Sequence, residues 1–201
     1  MNRRITAILC LMACILTGMQ AQSLKQQGTS VEDLVPEGWT HDEVTGDLNK
    51  DGIADLVVNA KRILAIYFGH ADGKLTLWRQ YDQVLPVDED ENCTHEITLE
   101  ITDRGVLKMT TNLSCSAGGW GTYIDRYFYR YQNGDFFLIG KENEEIRRNT
   151  GEVKTVSDNY LTWKRQVKTE NFSDDTPPKE KWSRLPKKPL EKLGARVLGE
   201  E

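Results

Sequence analysis

One short segment of the chain places oxygen-bearing side chains at regular intervals. From residue 47 to residue 55 it reads Asp-Leu-Asn-Lys-Asp-Gly-Ile-Ala-Asp. Carboxylate or amide groups occupy loop positions 1, 3, 5 and 9, and the glycine at position 6 permits a sharp turn. Side chains that alternate in this way can converge on one point, and oxygen is the donor that hard cations prefer. The segment therefore predicts a calcium loop, which the apolar run Leu56-Val57-Val58 would anchor as a strand.

This loop differs from an EF-hand, because that motif needs a bidentate glutamate at position 12 and Val58 stands there. The pattern Asp-x-Asn-x-Asp-Gly-x-x-Asp before a strand resembles the calcium loops of FG-GAP and VCBS repeats, the blade units of integrin-like β-propellers. The resemblance continues through the apolar segment 63–68, Gly69 and the Asp72-Gly73 turn. It covers a single repeat, within residues 39–78.

The resemblance also implies which residues would hold the ion. Ile53 would contribute its main-chain carbonyl, and the other ligands would be side chains. These side-chain ligands are Asp47, Asn49, Asp51 and Asp55. The alternative is an Asx-rich surface turn that binds nothing, since Asp, Asn and Gly are ordinary turn formers.

The first residues of the chain have the pattern of a secretory signal peptide. A basic start with Arg3 and Arg4 precedes an apolar stretch over residues 5–16, and cleavage is expected after Ala21. The segment 11–14 loosely resembles a lipobox, and lipidation at Cys14 is the second interpretation. Lipidation at Cys14 would attach the chain to a membrane, whereas signal-peptide cleavage without lipidation would not. The protein is therefore expected to be exported, to the periplasm or the cell surface.

Two of the four cysteines remain after cleavage, Cys93 and Cys115. An even pair in an exported chain is most simply a disulfide. On the chain-entropy model a closed loop of this size stabilises the fold by about 3 kcal/mol.

The overall charge is acidic, with a formal net charge of -5 at pH 7. No basic stripe is visible that could release counterions from a phosphate backbone, so nucleic acid is not expected as a partner. The lysine-rich stretch 179–192 is interrupted by prolines and glutamates, and it is interpreted as a solvated tail.

The dominant hydrophobic period is two, which is typical of strands. Residues 97–101 alternate, Asp103-Arg104-Gly105 turns, and residues 106–110 return. A strand over 122–131 meets one over 136–139 through Asn133-Gly134, the strongest short-range hairpin signal in the chain. A third pair, 153–156 and 160–167, is predicted to turn at residues 157–159. Helix is expected only over 29–34 and 190–198.

These patterns predict an all-β fold of antiparallel sheets with hairpins, in a single domain with a propeller-blade-like unit around the calcium loop. The signal peptide would cover residues 1–21, the β domain 22–170 and an extended C-terminal arm 171–201. A small or incomplete propeller is the second choice. The segments 127–134, 138–140, 148–152 and 159–162 also resemble the C-terminal part of uncharacterised exported bacterial proteins with one VCBS-like loop. That resemblance implies no activity.

The glycine-rich segment 116–123 offers Trp120 and Tyr123 as stacking faces for a ligand such as a sugar ring. A bulge leading into a strand is the alternative interpretation. No catalytic group stands out in the sequence. We therefore expect an exported calcium-binding module that binds a protein or a glycan, or serves a structural role. The alternative is an exported glycan-directed hydrolase with the calcium loop near its cleft.

Overall fold

The alternating segments form strands that pair mainly in chain order. The computed structural model describes residues 23–86, 92–115, 121–174 and 176–199, and they fold as two antiparallel sheets. The first sheet has the order β1-β5-β4-β3-β2. Its strands, with the short helix α1 between the first two, are β1 (Gln27–Gly28), α1 (Val31–Leu34), β2 (His41–Gly46), β3 (Asp55–Ala60), β4 (Ile63–Gly69) and β5 (Leu75–Tyr81).

The second sheet is a seven-stranded meander in which each strand pairs with the next along the chain. Its strands are β6 (Cys93–Ile101), β7 (Val106–Cys115), β8 (Gly121–Gln132), β9 (Asp135–Arg147), β10 (Glu152–Asn159), β11 (Lys164–Asn171) and β12 (Lys179–Arg184). The prediction of an all-β, antiparallel, single-domain fold is confirmed. The propeller-like part of that prediction is not confirmed.

The β8–β9 hairpin forms where the sequence predicts it. Asn133 and Gly134 both have positive φ, 52° and 77°, as a type I′ turn requires. Along β8, Tyr127 and Tyr129 are buried, whereas Phe128 between them is only half-buried. The predicted alternation of β8 is therefore confirmed, and it gives the sheet an inner face and an outer face.

The main core lies between the two sheets. Val57, Leu64 and Ile66 of the first sheet belong to the same buried cluster as Leu107 and Tyr127 of the second. Four aromatic rings extend this cluster with centroids 5.1 to 5.8 Å apart, which is the spacing of favourable edge and tilted contacts. They belong to Phe68, Trp78, Tyr131 and Phe136.

The N-terminal segment covers the other face of the first sheet. Leu24, Val31 and Leu34 form a second buried cluster with residues such as Val58 and Tyr67. The helix α1 lies inside the predicted span 29–34, and the other predicted helix, 190–198, is wrong because those residues form turns and irregular structure. Within the described ranges no such segment covers the outer face of the second sheet, where Trp182 is 60% exposed.

The segment expected to be an extended arm, 171–201, carries the edge strand β12 and part of the core. β12 pairs with β11. Further along, Leu193 and Leu198 are buried. The Leu193 amide donates to the Phe136 carbonyl and the Leu198 amide to the Val84 carbonyl, each at 2.9 Å. The described end of the chain is therefore held by apolar burial as well as by hydrogen bonds.

The third hairpin turns later than the sequence predicts. Residues 157–159 belong to β10, and the connection to β11 is made by residues 160–163. Asn159 explains the shift, because its side-chain oxygen accepts hydrogen bonds from the amides of Leu161 and Thr162. The Asx residue starts the turn instead of forming its centre.

Cys93 and Cys115 stand opposite each other on β6 and β7, and their sulfur atoms are 2.14 Å apart, so the predicted disulfide is confirmed. It closes the end of this hairpin away from the turn at 102–105. The predicted signal peptide 1–21, Cys14 and Trp120 lie outside the described residues. Within the described residues, no helix is long and apolar enough to span a membrane.

Candidate calcium loop and outer groove

The predicted calcium loop connects β2 to β3. Gly46 ends β2 and is paired with Asp55, which begins β3, so the two ends of the loop are held together by the sheet. All five predicted ligands therefore lie on one short closed loop or at its foot, and the four that would bind through side chains are Asp47, Asn49, Asp51 and Asp55. Ile53 lies in the same loop, between Asp51 and Asp55.

Asp55 is the buried foot of the loop, with none of its surface exposed. One carboxylate oxygen, Oδ2, accepts from the amides of Leu48 at 2.8 Å and Asn49 at 3.3 Å, and Oδ1 accepts from the amide of Gly69 at 3.0 Å. Burial raises the pKa of Asp55, and these amide bonds oppose the rise. Asp55 thus ties the loop to β4 at the cost of a buried negative charge.

Asp47 organises the opposite side of the loop. Its Oδ1 accepts from the amide of Lys50 at 2.6 Å, and its Oδ2 accepts from the amide of Gly52 at 2.9 Å. Lys50 and Gly52 have φ values of 65° and 84°, so the chain winds around this carboxylate in a left-handed conformation. Gly52 is the glycine at loop position 6 that the sequence predicts to permit the sharp turn.

Asn49 and Asp51 complete the set on the exposed part of the loop. The Asn49 side-chain amide donates to Asp51 Oδ2 at 3.0 Å, and its oxygen accepts from the Asp51 amide at 2.9 Å. Asp51 Oδ1 accepts from the Ile53 amide at 2.8 Å. The side-chain oxygens of the loop are thus turned toward its own main chain.

The donor set fits a hard cation in its chemistry, since it offers three carboxylates, one amide oxygen and one main-chain carbonyl. In the parts of the chain that the structure describes, no group of three or more His, Cys, Asp or Glu side chains is placed to hold a metal ion. The carboxylates of Asp47, Asp51 and Asp55 bind main-chain amides instead of gathering on one point.

Two glycines allow neighbouring elements to pack against the loop. A Cβ atom on Gly69 would lie 2.1 Å from the Ala54 carbonyl oxygen, and one on Gly105 would lie 2.5 Å from that of Asp47. Both distances are far inside van der Waals contact, so a side chain would force the backbones apart. Close packing therefore explains why a glycine stands at position 69, where the repeat pattern also has one. Gly105 likewise lets the β6–β7 turn pack directly against Asp47.

A large cavity lies on the outer face of the seven-stranded sheet, and we call it the outer groove. Its volume is about 870 Å³, and it runs from the β6–β7 turn at Arg104 to Trp182 on β12. Gly140 forms part of its floor, where Phe128 of the neighbouring strand lies beside it. A second cavity of about 680 Å³ shares Arg104 and Arg130 with the groove and reaches Asp47.

The acidic residues of the outer groove are mostly held in ion pairs. Glu142 binds Arg126 at 2.7 Å and accepts from the Ser157 hydroxyl at 2.8 Å, and Asp158 binds Arg165 at 2.6 Å. A glycoside hydrolase needs two carboxylates that are free to act on the same bond. These pairings therefore give no support to the hydrolase alternative.

Of the aromatic pair expected from the glycine-rich segment, the structure places Tyr123 alone, and Tyr123 does not line this groove. Trp120 is outside the described residues. Tyr123 is 43% exposed on β8. It lies four residues before the buried Tyr127, so both side chains point to the inner face of the sheet, opposite the outer groove. The exposed groove residue Trp182 lies in the stretch interpreted from the sequence as a solvated tail. Its only sequence signal is a large apolar residue among lysines.

Comparison of the chain with protein-family models, with curated protein sequences and with solved structures finds no match. The likeness to FG-GAP and VCBS repeats therefore stays a resemblance carried by the loop residues themselves.

Proposed function

We propose that this chain is an exported calcium-binding β domain that acts as a binding or structural module in the periplasm or at the cell surface. The observation that carries the proposal is Asp55, a fully buried carboxylate at the foot of an all-oxygen loop. Export rests on the sequence of residues 1–21. The FG-GAP and VCBS resemblance gives the same assignment of ligands.

The electrostatics of Asp55 favour a cation. Among the described residues its hydrogen bonds come only from main-chain amides, and the nearby Asp51 adds a like charge. A raised pKa means that the ionised form destabilises the fold, so stability falls as the pH rises above the ordinary aspartate value of 3.8. A bound divalent cation would neutralise this charge.

Calcium in this position would have a structural role. It would be held by Asp47, Asn49, Asp51, Asp55 and the Ile53 carbonyl, and it would supply charge neutralisation to a loop that joins two strands. Since the ion would bind the folded state, its binding free energy would appear as folding stability. At a calcium concentration 100 times the Kd, the gain is about 2.7 kcal/mol.

The proposal is tested by calorimetric titration of the chelator-treated mature protein with calcium, followed by thermal unfolding with and without the ion. We expect saturable one-site binding and a rise in Tm of about 5 to 10 °C at saturation. The test variant is Asp51→Asn, which keeps an oxygen for the Ile53 amide but loses the charge. We expect its calcium affinity to fall by about tenfold or more, because ligand charge tunes such loops.

Asp72→Asn is the matched control. Asp72 is also an exposed aspartate in a turn, and it also accepts from the amide two residues further on, that of Lys74 at 3.2 Å. It is not a predicted ligand, so its substitution should leave calcium affinity unchanged. If calcium does not bind, or if both variants weaken binding equally, the loop is an Asx-rich turn and the proposal fails.

A further inference from the structure

The outer groove carries cations that have no partner within the described chain. Arg104 and Lys164 line it and are exposed, and Arg130 lines it where it joins the second cavity. The Nε atom of Arg130 is buried and has no hydrogen-bond partner. An unmet buried donor costs free energy, and guanidinium groups form strong, often bidentate pairs with carboxylates and phosphates.

The charge balance of the groove is positive once its internal ion pairs are set aside. Glu142 and Asp158 are neutralised by Arg126 and Arg165, and Lys141 is paired with Asp125. The charged lining residues that remain without an ion pair are the three cations Arg104, Arg130 and Lys164 and the single anion Asp103. The groove is thus locally cationic on a protein of net charge -5, and this complementarity selects an anionic ligand.

The shape of the groove selects an extended ligand. It crosses the sheet from β7 to β12, which at about 4.8 Å between strands is a length of about 24 Å. One row of cross-strand partners runs along it, namely Glu142, Ser157, Gln166 and Trp182. The Ser157 hydroxyl donates to Glu142 and the Gln166 amide donates to Glu180 at 3.0 Å, so these two side chains present their oxygen atoms as acceptors, beside the indole face of Trp182.

The chemistry of the lining favours a sugar chain over a peptide. A bound peptide strand needs an open sheet edge for its main-chain groups, whereas this groove crosses strands whose backbones are already paired with each other. What it presents is side-chain hydroxyl and amide groups beside exposed apolar faces. Trp182 is 60% exposed and Leu161 is 46% exposed, and a large aromatic face of this kind can stack on a flat ligand ring.

We propose that the outer groove binds a linear oligosaccharide that carries carboxylate groups. Arg104, Arg130 and Lys164 would bind the carboxylates, Ser157 and Gln166 the hydroxyls, and Trp182 would stack on a ring at the β12 end. This inference rests on the proposed role as a binding module and names its ligand class. It does not depend on the calcium loop.

The test is calorimetric titration of the mature protein with a short oligosaccharide of alternating glucuronate and N-acetylglucosamine. An uncharged N-acetylglucosamine oligomer of equal length and a polyglutamate peptide serve as comparison ligands. We expect the charged sugar to bind, with an affinity that falls as salt is raised, and the two comparison ligands to bind at least tenfold more weakly.

Variants locate the binding. Arg104→Gln together with Lys164→Gln should lower affinity by about tenfold or more, and both residues are exposed, so folding should be unaffected. Trp182→Ala should weaken binding and abolish any change in tryptophan fluorescence on binding. Lys108→Gln is the control, since Lys108 lies on the same sheet face but is paired with Glu100 at 2.9 Å and does not line the groove. Its affinity should be unchanged.

Three results of the ligand comparison would overturn the inference: no binding of the charged sugar, equal binding of the uncharged oligomer, or tighter binding of polyglutamate. Equal loss in the Lys108 control and in the Arg104 and Lys164 double variant would also overturn it, because it would indicate an unlocalised charge effect. A calcium titration of the same preparation separates this outcome from failure of the proposed function. Calcium binding without sugar binding removes the groove inference alone.

Discussion

Substitution Leu198→Ala tests whether the C-terminal segment belongs to the core. Leu198 is fully buried, and its amide donates to the Val84 carbonyl. Loss of a fully buried leucine side chain costs about 2 to 5 kcal/mol in the free energy of unfolding. We expect a loss of about 3 kcal/mol, because the variant keeps the main-chain hydrogen bond from residue 198 to Val84. With a urea m-value of about 2 kcal/mol/M, the unfolding midpoint should fall by about 1.5 M.

Equilibrium urea unfolding of the disulfide-intact protein, followed by far-UV circular dichroism, measures this change. Leu161→Ala is the matched control, since it removes the same atoms from a side chain that is 46% exposed, and it should change the unfolding free energy by less than about 0.5 kcal/mol. A loss below about 1 kcal/mol for Leu198→Ala, or equal losses for the two variants, would refute the burial of this segment. An altered m-value would instead indicate a change in the unfolded state or in two-state behaviour.

Two further predictions concern the links between elements. Reduction of the Cys93–Cys115 bond, or the double Cys→Ser variant, should lower the unfolding free energy by about 3 kcal/mol, seen as a lower Tm under reducing conditions. Asp135 binds Arg79 at 3.2 Å and Lys192 at 2.9 Å. Burial opposes ionisation of Asp135, but the Lys192 hydrogen bond, the Phe136 amide and the charge of Arg79 together lower its pKa below 3.8. Its stabilisation is present above pH 3.8 and is lost as the pH falls through the lowered pKa. Asp135→Asn should therefore cost about 1 to 2 kcal/mol at neutral pH and flatten the fall in stability in acid, measured by urea unfolding across pH. An unchanged acid profile would show that the ion pairs contribute nothing.

The sequence predicts the strands and two of the three hairpin turns well, those at 103–105 and 133–134, because those features are local. The two positive φ values of the Asn133-Gly134 turn are a property of the two residues themselves. Alternation along β8 likewise follows from burial on one face of a strand. The turn predicted at residues 157–159 is wrong by a few residues. Asp and Asn indicate that a turn is near, but composition does not tell at which residue the strand pairing stops.

The loop and the groove differ in the same way. The calcium site stays a prediction, and the sequence could offer it because the candidate ligands lie within nine residues. The outer groove could not be predicted from the sequence, because Arg104, Arg130 and Trp182 come together only through the register of six paired strands. Nor does any local pattern show that Leu193 and Leu198 are buried, since their partners are distant in the chain.

The meander order of the strands has a consequence for how the chain folds. From β2 onward, every hydrogen-bonded pair within each sheet joins strands that are consecutive in sequence, so each pairing closes only a short loop. Pairing of this kind lowers the mean sequence separation of contacts, and folding rate rises as that separation falls. The long-range contacts of the described residues include those between the two sheets, the pairing of β1 with β5 and those made by the C-terminal leucines. We therefore expect hairpin formation to be early and the docking of the two meanders to limit the rate, with the C-terminal segment completing the core last.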